Sequence, residues 1–69
     1  GNKSSFSDTA VSVELLNASI RGASYNIKIN LKDISDDNYT SSITKESNSI
    51  MDKSSTIYKE ILKEIDKEL

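Results

Sequence analysis

The sequence predicts an α+β fold: a β-hairpin of about residues 10–20 and 24–33, followed by a long amphipathic helix. Three observations carry this. Ile57, Ile61, Ile65 and Leu69 recur every four residues, with Tyr58 and Leu62 widening the stripe, as one face of a 3.6-residue helix requires. Tyr25, Ile27, Ile29 and Leu31 alternate with Asn26, Lys28, Asn30 and Lys32, which suits a strand with one buried and one wet face. Between the two apolar runs, Arg21-Gly22-Ala23-Ser24 reads as a tight reversal, with Gly22 supplying a positive φ.

Taken in order, Gly1–Thr9 is polar and Ser-rich, and Phe6 is its one large apolar residue. It reads as a flexible tether before a single small domain over residues 10–69. In the first predicted strand Val11, Val13 and Leu15 alternate in one phase, and Leu16, Ala18 and Ile20 in the other. A β-bulge near Leu15–Leu16 accounts for that slip. The alternative is a helix from Asp8 to Arg21 with Gly22 just past its end, which turns the fold into α-β-α. The Ser-Asp-Asp-Asn cluster within Asp33–Asn38 closes the second strand and offers helix N-caps. Beyond it the helical stripe extends back through Ile50 and Ile43 to Tyr39. One helix from about Asp37 to Leu69 follows, weakened or kinked around Asn48 by its many serines. Its charged face stacks like charges four apart, which Glu60–Lys63 and Glu64–Lys67 offset by roughly 0.2–0.5 kcal/mol per pair.

Sixty-nine residues with no Cys and no His bound the function. No disulfide or thiolate metal site can reinforce the fold, and Ser-His-Asp and Cys-His catalysis are excluded. Thirteen Ser and eight Lys permit many Ser-Lys pairs, but no motif selects one. Asp33, Asp36 and Asp37 lack calcium-loop spacing and suit turn and capping duty. The net charge of −2 and the absence of a basic patch disfavour nucleic acid. No apolar run approaches the length of a membrane span. The residue inventory thus describes a non-enzyme without cofactor or metal.

What remains is protein binding. Leu16 and Ile20, out of phase with the rest of their predicted strand, form an exposed patch. With Tyr25 and Lys28 on the neighbouring strand they are the candidate partner-binding residues. The partner is another protein, or a second copy meeting the helix stripe. A sustained heptad seam through Ile43, Ile50 and Ile57 fails, because Ser47, Ser54 and Glu64 occupy its other positions.

The head Gly1-Asn2-Lys3-Ser4-Ser5 resembles the residues that follow the acylated cysteine of mature bacterial lipoproteins. That resemblance implies an extracytoplasmic, membrane-anchored protein, of the kind that serves in immunity, exclusion or envelope assembly. The alternative reading of Gly1 is a protease-cleavage scar, in a structural, self-associating domain cut from a larger protein.

Overall fold

A computed structural model describes residues 3–69 as two α-helices, α1 (Lys3–Leu31) and α2 (Asp37–Lys67), joined by a short turn. They lie antiparallel in a rod of 52 × 17 × 13 Å. Among the described residues there is no strand, so both the ββα fold and its α-β-α alternative are overturned.

The physical reason lies in the alternation itself. Residues two apart on a helix point roughly 200° apart, so a helix with two apolar faces alternates much as a strand does. Tyr25 and Ile29 occupy the outer face of α1 and are both 62% exposed. Ile27 and Leu31 sit one step round, toward α2. The phase slip at Leu15–Leu16 has the same origin: Val11 and Leu15 face outward while Val13 and Ile20 turn toward α2 and are half-buried. No bulge is present there. Gly22 is not in a reversal either; α1 runs straight through it, its φ is not positive, and a Cβ there would meet nothing within 4 Å. A mid-helix glycine costs about 1 kcal/mol relative to alanine, and the hairpin itself gives no steric reason for one.

The seam between the helices follows a 4-3-4-3 spacing. On α1 it takes Phe6, Ala10, Val13, Asn17, Ile20, Ser24, Ile27 and Leu31. On α2 it takes Thr40, Thr44, Ser47, Met51, Ser54, Tyr58, Ile61 and Ile65. The Ser24 and Ser47 hydroxyls, 3.2 Å apart, set the register. That register places Phe6 opposite Ile65, Val13 opposite Tyr58, Asn17 opposite Ser54 and Ile20 opposite Met51. A 3.5-residue repeat is what keeps two helices in contact over such a length. The serines that seemed to break a heptad are therefore members of one, and Ile43, Ile50 and Ile57 stand one row to the side.

Local chemistry explains why Ser- and Thr-rich segments remain helical. Thr9, Ser12 and Thr56 each donate to the carbonyl four residues back, at 2.9, 2.7 and 3.1 Å. Asn30 donates to both the backbone oxygen and the Oδ1 of Asn26. α1 ends in three tightened i→i−3 bonds, from Lys32, Asp33 and Ile34. Asp36 then caps α2, its Oδ1 accepting from the Tyr39 N–H at 3.1 Å. α2 continues without a break at Asn48. In the segment expected as a tether, residues 3–9 form the first turns of α1; Gly1 and Asn2 lie outside the described residues.

Two helices bury only one seam. Among the described residues the only buried ones are Ser24 and Ser47, and no hydrophobic residue is buried.

Candidate functional site

The sides of the rod differ in chemistry because the rows flanking the seam differ. On one side the α1 flank is Thr9, Leu16 and Ala23 and the α2 flank is Ile43, Ile50 and Ile57. Their juxtaposition makes a groove over Val13, Leu16, Ile20, Ile50, Ile57 and Ile61, edged by Lys53. It continues past Ile61 to Phe6, Thr9 and Ile65, where Lys3, Glu64 and Glu68 close it with charge. Leu16, Ile50 and Ile57 remain 62%, 54% and 56% exposed, so the two helices leave the groove half covered.

On the other side the rows are polar: Ser7, Glu14, Arg21 and Lys28 on α1, Ser41, Asn48 and Ser55 on α2. There the Tyr58 hydroxyl donates to Glu14 Oε1 at 2.6 Å, linking the helices. That bond, desolvation and the Glu14 charge raise the Tyr58 pKa above its ordinary 10.0, with Arg21 opposing. The outer face of α2 is charged, and its Lys67 pairs with Glu64 at 3.0 Å.

Of the four candidate partner-binding residues the structure brings two together. Leu16 and Ile20 share the groove. Tyr25 lies on the outer face of α1 and Lys28 on the polar side, so neither reaches it. No slipped strand is present: Leu16 and Ile20 share the groove with Val13, which a strand would set in the opposite phase. Sequence reasoning missed Ile50 and Ile57 as groove residues. Their seven-residue spacing is the available signal, which the sequence presents as a failed heptad seam rather than as the flank of one.

Chemically, the groove offers apolar contact along its middle, with the Lys53 ammonium at its edge and the charges of Lys3, Glu64 and Glu68 at one end. No group of three or more His, Asp or Glu side chains is placed to hold a metal ion among the described residues. Nor is any helix long and apolar enough to cross a membrane.

A family model described as formiminotransferase-cyclodeaminase matches residues 1–49, which span α1, the turn and α2 as far as Ser49. The chain belongs to the formiminotransferase-cyclodeaminase family. The family name is that of an enzyme, which weighs against the non-enzyme expected from the residue inventory. No curated protein and no solved structure matches the chain. Within this member the match takes in the α1 wall of the groove, Val13, Leu16 and Ile20, and ends one residue before Ile50.

Proposed function

We propose that this member of the formiminotransferase-cyclodeaminase family is a non-enzymatic protein-binding module, which docks an apolar helix of another protein in the groove between α1 and α2. The observation that carries this is the state of the groove. It is lined by large aliphatic side chains, three of them more than half exposed, in a hairpin that buries no hydrophobic residue of its own among those described. A third helix laid along it would cover Leu16, Ile50 and Ile57 and turn a seam into a core. Lys53 at the edge favours an acidic residue on the docking helix.

The test is the state of the protein in an extract of its source. A complex containing a second, different protein is expected, and the paired substitutions Leu16→Glu and Ile57→Glu should release the chain from it. If the unsubstituted chain is recovered free of any other protein, the reading fails.

The family match favours a second reading, in which the hairpin is a structural piece of a larger helical enzyme and its groove is filled by neighbouring helices of that assembly. The two part on a single point. In the second reading the docking helix belongs to the same polypeptide or to another copy of it.

A further inference from the structure

The groove leaves one apolar surface unexplained. On the side of α1 turned away from α2, a second row at alternating spacings of three and four runs Asp8, Val11, Leu15, Ala18, Gly22, Tyr25 and Ile29, and Lys32 follows in the turn just past the helix end. All eight are exposed, and Val11, Leu15, Tyr25 and Ile29 are 56–63% so. Neither the hairpin seam nor the groove uses them.

We propose that this row is a homodimer seam, in which α1 of one copy packs antiparallel against α1 of a second about a twofold axis level with Ala18–Gly22. The row reads as its own complement when reversed. Val11 of one copy meets Ile29 of the other, Leu15 meets Tyr25, and Ala18 meets Gly22. At both ends Asp8 of one copy meets Lys32 of the other. Large residues face large ones, the smallest face each other at the centre, and opposite charges close the ends. A parallel pairing would instead set Asp8 against Asp8 and Lys32 against Lys32. The alternating spacing keeps the helical part of the row, Asp8 to Ile29, on the partner along about 32 Å.

Gly22 is the independent observation. It sits in the middle of a long helix, in a conformation any residue adopts, with open space where a side chain would be. Nothing within the hairpin calls for glycine. A helix approaching closely at Ala18–Gly22 does, because only small residues there let two backbones come together. A twofold interface of this kind is isologous and closes on itself, giving a dimer rather than a fibre. It uses a face separate from the groove, so each can be occupied without the other.

The experiment is sedimentation of the purified 69-residue chain, with helicity followed by circular dichroism on the same samples. At about 300 μM the chain should sediment at twice 7.6 kDa, the contact being near the small end of the interface range. Gly22→Leu should give a monomer whose helicity is equal or higher, since the new side chain meets nothing in its own hairpin. Asp8→Lys and Lys32→Asp should each weaken the dimer about fivefold, by placing like charges at both ends. Mixing those two variants should restore it, because every end pair is then opposite in sign. A wild-type monomer at this concentration overturns the proposal, whether helical or not. So does a Gly22→Leu chain that dimerises as well as wild type. A dimer dispersed by Ile57→Glu but not by Gly22→Leu would show that copies meet through the groove, and overturns it too.

Discussion

Ser24 and Ser47 face each other across the two helices with their hydroxyl oxygens 3.2 Å apart, 6% and 7% exposed. The most enclosed layer of this protein is thus polar and small. Truncating one partner leaves a buried hydroxyl short of a hydrogen bond, which costs more than removing both. Ser24→Ala is expected to destabilise the hairpin by about 1 kcal/mol, and Ser47→Ala likewise. The double variant should fall well short of the sum. Urea melts of the four chains in a double-mutant cycle measure this directly, and strict additivity would show the bond to be absent.

A second link between the helices makes stability depend on pH. The Tyr58 hydroxyl donates to Glu14, and its folded pKa is raised chiefly by that bond. The hydrogen-bonded form is the protonated one. Its contribution is therefore fully present below the ordinary tyrosine pKa of 10.0 and is lost as pH rises through the higher folded value. Wild type should melt above Tyr58→Phe at pH 8, and the gap should close as the pH passes into the range where Tyr58 ionises. An equal gap at pH 8 and at a pH well above the ordinary 10.0 would refute the assignment.

The seam, the groove and the outer row together show what the sequence could and could not reveal. The stretch from Thr56 onward was legible as helix, which ends at Lys67 rather than Leu69, because its apolar residues keep one phase and most of its other positions are charged. The capping role of the Asp33–Asn38 cluster was legible too, and Asp36 performs it. α1 was not, because its apolar residues fall on opposite faces and so imitate the alternation of a strand. Val11 and Tyr25 serve a surface that two helices cannot bury, whereas Val13 and Ile27 serve the seam. Only the presence of α2 on one side separates the two sets. The groove was half legible: Leu16 and Ile20 stood out as misfits, but Ile57 did not, since it fitted the helical stripe too well.

The lipoprotein-like head carries its own expectation. If the residues from Gly1 onward follow an acylated cysteine, the protein isolated from its source will show a diacyl- or triacyl-cysteine immediately before Gly1. Intact mass with N-terminal analysis reads this in one measurement. With residues 3–9 helical, such an anchor would leave almost no slack before α1. The rod would then stand close to the membrane with its turn, near Ile34–Asp36, some 50 Å away. A longer, unlipidated chain would sink the idea and give weight to the larger-assembly reading.

The sharpest separation of scaffold from site lies between Ile61 and Ile57, which are neighbours in the groove wall. Ile61 belongs to the seam, half-buried and facing α1, whereas Ile57 flanks the seam and is 56% exposed. Ile61→Asp sets a carboxylate among apolar residues of both helices and should cost about 3 kcal/mol, enough to unfold so small a hairpin. Ile57→Glu sets its charge into solvent beside Lys53, four residues back on the same helix, and should leave the helix signal within a few per cent of wild type. Thermal melts by circular dichroism distinguish them. If both substitutions unfold the chain equally, Ile57 is core and the groove is no docking surface. If neither does, the seam contributes little, and the two helices hold their structure without it.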